Sequence, residues 1–220
     1  SREAAAGLDR VARAAEQEGD VAALQAAVLG LMTVAPDAVS GRYALVLAQQ
    51  PGTEDNELVE LLPGAIAAAG DQRTADSLLF RYGRALEATA GCGQALLQYR
   101  AVVRRAQDAG LQSAARFRIA ECALAQGLRA RSAGRPEDAG LWFAEASRVD
   151  SASLSGRRAL LNLGDLRLGE GDTIGAAIAF QGAVSASGAE PDSIAEVARR
   201  RLARLGLIPA AGDSARGDTP

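Results

Sequence analysis

The chain has no histidine and no lysine; all 24 of its cationic side chains are arginines. Without histidine a Ser–His–Asp or Cys–His relay cannot be built, and without lysine there is neither a P-loop phosphate lysine nor an amine for Schiff-base chemistry. Only two cysteines occur, Cys92 and Cys122. Their separation matches no metal-ligand spacing, so no metal or other cofactor is expected. Aromatic residues make up 4% of a chain that is 48% hydrophobic, so the apolar material is mostly Ala, Leu and Val, which favours closely packed helices. No apolar run approaches the roughly 18 residues a membrane span needs. A formal charge of −3 leaves no excess of positive charge for a nucleic-acid face. The arginine bias reads as a GC-rich bacterial genome. The chain starts at Ser rather than Met, which reads as a processed or trimmed start from which any targeting signal is gone.

Across the 220 residues apolar positions recur every three or four, with no sustained β-type alternation. Glycine, proline and aspartate punctuate this pattern, which predicts helices over 3–18, 20–34, 37–49, 54–69, 73–90, 93–109, 112–133, 136–149, 156–170, 172–187 and 192–206. That is five helical hairpins and a terminal cap. Asp71 and Asp172 are placed to cap after their glycines, and Ser193 with Glu196 has the spacing of a capping box. Pro63 falls inside an apolar pattern and is expected to break or kink its helix. Residues 209–220 show no apolar period and read as a flexible tail, in which the Arg216–Gly217–Asp218 run is a chance sequence or an adhesion motif.

A shift of 37 residues superimposes Gly127 on Gly164, Gly134 on Gly171, Ala139 on Ala176, Phe143 on Phe180 and Ala146 on Ala183. Periods of this size mark stacked helical hairpins. The pattern resembles the tetratricopeptide repeat, a helix–turn–helix unit of about 34 residues with a small residue in its first helix and Ala, an aromatic and Ala in its second. In the unit 157–190 the matching residues are Leu160, Leu163, Gly164, Ala176, Phe180 and Ala183. Leu79, Tyr82, Gly83, Ala95 and Tyr99 match in 76–109, and Gly127, Ala139, Phe143 and Ala146 in 120–153. The stretch 5–36 matches more weakly, through Leu8, Ala12, Leu24, Val28, Leu31 and Pro36, and 37–69 fits least, since Pro51 and Pro63 disrupt the spacing. The resemblance implies an all-α, right-handed α-solenoid of about five hairpins over 1–208, with a capping helix at 192–206. One hairpin cannot bury its own apolar face, so neighbouring units must finish each core.

The resemblance also implies a groove lined by first-helix residues. In this chain they are Ser77, Phe80, Arg84 and Glu87; Glu121, Leu124, Leu128 and Arg131; and Arg158, Leu161, Asp165 and Leu168. Apolar residues edged by charge suit an extended or helical peptide or the flank of another protein. The Lys, Arg and Asn clamp with which some family members hold a peptide carboxylate is missing. Trp142, about 100° around the helix from Phe143, is either packed on a neighbouring unit or a partner-facing anchor.

Remaining chemistry is thin. Glu54, Asp55, Glu57 and Glu60 read either as acids on the first turn of a helix, where the macrodipole favours them, or as a carboxylate site. Arg104 with Arg105, Arg116 with Arg118, Arg129 with Arg131 and Arg135, and Arg199, Arg200 and Arg201 with Arg204 read as solvated faces and helix ends, or as a surface for an anionic partner. Cys92 and Cys122, counted about a turn at Gly110, are axially offset, so both a disulfide and two buried thiols stay open. These features point to a non-catalytic scaffold binding another protein or peptide. It would be a subunit or accessory factor of a bacterial envelope or multi-subunit assembly, in the periplasm and attached to a membrane complex without spanning the membrane. The alternatives are a regulatory or oligomerisation domain of a larger cytoplasmic protein, and a carboxylate-dependent enzyme.

Overall fold

Aspartates set many of the helix starts. The carboxylates of Asp20, Asp71, Asp172 and Asp192 each accept the backbone N–H three residues on, from Ala23, Thr74, Gly175 and Ala195, at 2.8–3.0 Å. Each bond satisfies an amide that has no partner inside the helix. Gly19 and Gly171 precede two of these caps with φ of +71° and +83°, a left-handed turn that glycine enters without penalty. Asp71 also accepts from the Thr74 hydroxyl at 2.7 Å. The Thr74 amide and hydroxyl together hold its carboxyl below the usual carboxylate range.

A computed structural model describes residues 2–35, 39, 41–48, 53–186 and 192–207. Among these there are eleven α-helices and no strand. They are α1 (Arg2–Glu18), α2 (Val21–Val34), α3 (Gly41–Ala48), α4 (Asp55–Ala68), α5 (Gln72–Ala90), α6 (Cys92–Arg105), α7 (Ala109–Ser132), α8 (Pro136–Val149), α9 (Leu154–Gly169), α10 (Thr173–Ser185) and α11 (Ser193–Arg204). The expected tail 209–220, with its Arg–Gly–Asp run, and Pro36 and Pro51 lie outside the described residues.

Three local expectations need correction. Asp192, not Ser193, is the N-cap of α11; a carboxylate one residue earlier reaches the same class of orphan amide, and Ser193 becomes the first helical residue. The α6–α7 turn is not at Gly110 but at 106–108, because Asp108 caps α7 through the Leu111 N–H at 2.8 Å and draws Gly110 into the first turn. Pro63 does not break α4. It lies on the exposed side, while Leu58, Leu61, Leu62 and Ala65 are buried on the other and tie the turns before and after it to one core.

The chain packs as two compact units, 1–115 and 116–220. In the first unit the hairpins α1–α2, α3–α4 and α5–α6 each pack helix on helix, α2 meets α3, and α4 meets α5. Leu24, Val28, Leu47, Leu58 and Leu62 lie in one core there, with the partly buried Tyr82 against it. In the second unit α8 packs on α9, α9 on α10, and α11 covers α10 and touches α9. One core cluster joins Phe143 to Leu163 and Ala179; another joins Phe180 to Ile194, Ala198 and Leu202 of α11. Stacked helical hairpins of the tetratricopeptide-like, α-solenoid kind therefore make up the fold.

The contact that sets the register of the best hairpins is the same each time. Tyr99, Phe143 and Phe180 are each fully buried, and each ring abuts a helical glycine sixteen residues earlier. A methyl group placed on Gly83 would lie 2.6 Å from Tyr99 Cε1, on Gly127 2.5 Å from Phe143 Cε1, and on Gly164 2.6 Å from Phe180 Cδ1. Carbon atoms at rest stand 3.5–4.0 Å apart, so no other side chain fits at these three positions without moving the ring. The N-terminal hairpins solve the same problem differently. In α1–α2 the knob is Leu8, whose methyl carbons are 3.1 Å from where a Gly30 side chain would begin. In α3–α4 a side chain on Gly41 would meet the Gly64 carbonyl at 2.7 Å and Ala68 Cβ at 2.8 Å, so there the helices touch through backbone.

Replacing Phe180 by Ala removes a ring on which α9, α10 and α11 converge and should cost about 3–5 kcal/mol in urea unfolding. A loss of a few tenths would show that the ring does not hold the second unit together.

Candidate protein-binding surface

The first helices of successive hairpins in the second unit are tied side by side by polar contacts. Arg131 of α7 donates to Asn162 Oδ1 of α9 at 2.5 Å, and its guanidinium also lies 5.9 Å from the centre of the Phe143 ring. Arg201 of α11 pairs with Asp165 of α9, Nε to Oδ1 at 2.9 Å. Arg157 at the start of α9 pairs with the cap residue Asp192. A row of first-helix faces is thereby held in fixed register, and what that row shows to solvent can be read residue by residue.

Leu128 and Leu168 are exposed, at 38% and 37%, and Arg131 and Arg158 are exposed beside them. Leu161 is half-buried against the Phe180 core. Asp165 is engaged by Arg201, and Glu121 by Arg118 at 3.0 Å, so neither carboxylate is a bare charge. Leu124 is buried in the Phe143 core; its place is structural and it offers no exposed anchor. In the first unit Phe80 of α5 is half-buried, its ring centre 5.6 Å from that of Tyr99. Tyr99 in turn donates its hydroxyl to Glu87 at 2.6 Å, which draws that carboxylate toward the knob. Arg84 and Ser77 are exposed. The residues expected to line a groove thus divide into exposed apolar and cationic side chains and a set of carboxylates already partnered within the fold.

Sequence reasoning missed two features. Asn162 and Arg201 carry the ties between first helices but match no repeat position; Asn162 drew no notice, and Arg201 was read only as part of an arginine cluster at a helix end, not as the partner of Asp165. The second is a set of outward-facing apolar side chains. Leu97, Leu141 and Ile178, each two residues before an aromatic knob, are 64%, 73% and 64% exposed, and Ile174, one turn before Ile178, is 76% exposed. Two residues are about 200° of helix, so a side chain there must point away from the hairpin partner. That spacing was legible beside the knobs. Trp142 is half-buried against the Phe143 core.

Glu54 is the N-cap residue of α4 and Asp55 and Glu57 lie in its first turn, where the helix dipole favours negative charge. Glu57 accepts from the Gln25 side chain at 3.3 Å. Cys92 opens α6 and Cys122 is buried in α7. Neither is a free thiol; both are in the disulfide form. With the turn at 106–108, the axial offset counted about Gly110 does not apply. Among the described residues no helix is long and apolar enough to cross a membrane.

No family model matches the chain, and no curated protein matches it. Solved structures with a similar chain path include the MamA protein, 15% identical with a TM-score of 0.36, covering 96% of this chain and 100% of that one. The apo form of the quorum sensor NprR from B. thuringiensis is 13% identical with a TM-score of 0.38, covering 92% of this chain and 70% of that one. BtubC (BKLC) from P. vanneervenii is 15% identical with a TM-score of 0.37, covering 100% of this chain and 93% of that one. The glycine–aromatic contacts within the chain, rather than these similarities, carry the fold.

Leu124 and Leu128, one helical turn apart, should respond in opposite ways to a charge. Leu124→Asp buries an unpaired carboxylate and should destabilise by about 3 kcal/mol or more, whereas Leu128→Asp should stay within about 0.5 kcal/mol. Equal losses in denaturant unfolding would contradict this division of the α7 face.

Proposed function

We propose that the chain is a non-catalytic scaffold that binds a segment of another protein along its first-helix faces. The observation that carries this reading is the α7–α9 face of the second unit. There Leu128 and Leu168 remain exposed among Arg131 and Arg158, while the carboxylates of the same row are paired inside the fold. A surface with apolar anchors, exposed cationic edges and neutralised acids favours an amphipathic segment with acidic side chains. Desolvating the leucines would supply the affinity, and the arginines at the rim would set orientation and association rate. In the first unit Phe80, partly exposed over the Tyr99 knob, is the corresponding aromatic anchor.

The reading extends to compartment and assembly. Cysteines in the disulfide form are kept in oxidising compartments such as the bacterial periplasm. This supports the proposal that the scaffold works in the envelope, as a subunit or accessory factor of a larger assembly. Both parts can be checked in one preparation. Tagged protein isolated from its host should carry a stoichiometric partner that is depleted at least tenfold by Phe80→Asp or Leu128→Asp with unfolding curves unchanged. Its intact mass should fall short of the dithiol mass by two hydrogens. Retention of the partner by both variants, or a fully reduced mass, would overturn the surface or the compartment respectively.

A further inference from the structure

Helix α10 carries no charged residue: over its 13 residues it has neither an acid in the first turn nor a base in the last. Its neighbours in the second unit are built differently. α8, α9 and α11 each place arginine in the last turn, and α8 and α11 also place acids in the first. A helix that is apolar all round is normally buried all round. α10 is buried on one side only, through Ala176, Ala179, Phe180 and Ala183. On the other side Ile174 and Ile178, four residues apart and therefore one above the other on the helix surface, are 76% and 64% exposed. Gln181 and Ser185, both exposed, continue that side without charge.

A single exposed isoleucine is ordinary on a protein surface, but two stacked on a face without charge mark an interaction site. The chemistry of the face narrows what meets it. It offers no ion pair to an acidic or a basic partner, so recognition must rest on shape. An identical face meets that requirement. When two copies of α10 pack antiparallel about a two-fold axis level with Ala176, Ile174 of one copy falls opposite Ile178 of the other, and the same contact recurs across the axis. Ala177, partly buried against the Phe180 core, leaves a notch beside these side chains into which an isoleucine of the facing helix fits. No like charges are brought together on this face, although the chain as a whole carries a formal charge of −3.

We propose that the outer face of α10 is a dimerisation surface, on which a second copy of this chain packs its own α10 antiparallel. This goes beyond the protein-binding reading and does not depend on it: Ile174 and Ile178 stand on a second helix, whereas Leu128 and Leu168 stand on first helices, so a dimer presents two copies of the first-helix surface. The contact is small. A helix of 13 residues is about 20 Å long, and a pair of such helices buries less than the roughly 800 Å² per partner of a tight complex. The dimer is therefore reversible, with a dissociation constant in the micromolar range.

The test uses the full chain alone. Sedimentation equilibrium from about 5 to 500 µM should show a monomer–dimer equilibrium. Ile174→Lys and Ile178→Glu, both at exposed positions, should each weaken it at least tenfold with unfolding curves unchanged. An equimolar mixture of these two variants should recover the association, because antiparallel packing sets the new cation of one copy against the new anion of the other and keeps the second Ile174–Ile178 contact. Leu97→Asp, which removes an equally exposed apolar side chain from the first unit, should leave the constant unchanged. A monomer over the whole range, or an unchanged constant in both isoleucine variants, would overturn the dimer. An equal loss with Leu97→Asp would reduce the association to general apolar adhesion and overturn the α10 face. A mixture that associates no better than its components would overturn the antiparallel contact. None of these outcomes depends on Phe80, Leu128 or the isolation of a native partner.

Discussion

The contact between a helical glycine and an aromatic ring sixteen residues later is the constraint on which the rest of this structure depends. Two helices joined by a short turn can slide and rotate against one another at little cost when their faces are made of alanine and leucine. A ring seated on a bare backbone removes that freedom, since the glycine has no neighbour of equal smallness one turn away that would accept it. Tyr99, Phe143 and Phe180 each fix one hairpin in this way, and each is fully buried. The scarcity of aromatic side chains fits this economy: a few rings, placed where they set register, leave the remaining interface to small residues that pack wherever the register puts them.

Once the register is set, the direction of the other side chains follows from helix geometry. Residues two before each ring must face outward, which accounts for the exposed Leu97, Leu141 and Ile178. First-helix residues fall into a row whose members meet across hairpins, and the row is locked by Arg131 to Asn162 and by Arg201 to Asp165. Function in such a chain is a property of what the row leaves uncovered. Here it leaves leucines and arginines on one unit, and in the other a half-buried Phe80.

The fold was legible because its signals are local. Glycine–aspartate pairs end one helix and cap the next, and the three aromatic units repeat the same residues at the same offsets. The least legible hairpin, α3–α4, packs through Gly41 against the Gly64 backbone, a contact that leaves no side-chain pattern to read. Pro63 misled for a related reason: a proline on the solvent side of a helix costs one hydrogen bond but does not undo four buried contacts on the other side. The turn at 106–108 was misplaced because Gly110 is the more conspicuous residue, while the decisive one is Asp108, whose carboxylate captures the Leu111 amide. Of the candidate surface, the repeat named the exposed Leu128, Arg131, Arg158 and Leu168 but equally Leu124, which is buried in the Phe143 core. Which acids were already paired could not be read from it, because Asp165 and Arg201 are separated by a whole hairpin.

The central claim is most directly tested by the sign of one substitution measured in two backgrounds. Alanine is favoured over glycine in a helix by about 1 kcal/mol, so Gly164→Ala should stabilise the protein if the site is merely helical. With Phe180 in place, the added methyl group collides with the ring and should instead destabilise by about 1–3 kcal/mol. In a Phe180→Leu background, where the ring is gone, the same change should be neutral or stabilising. Urea unfolding of the four proteins gives the coupling, and the account predicts this reversal of sign. Additivity within about 0.5 kcal/mol would contradict it, and with it the register of the first-helix face in the second unit.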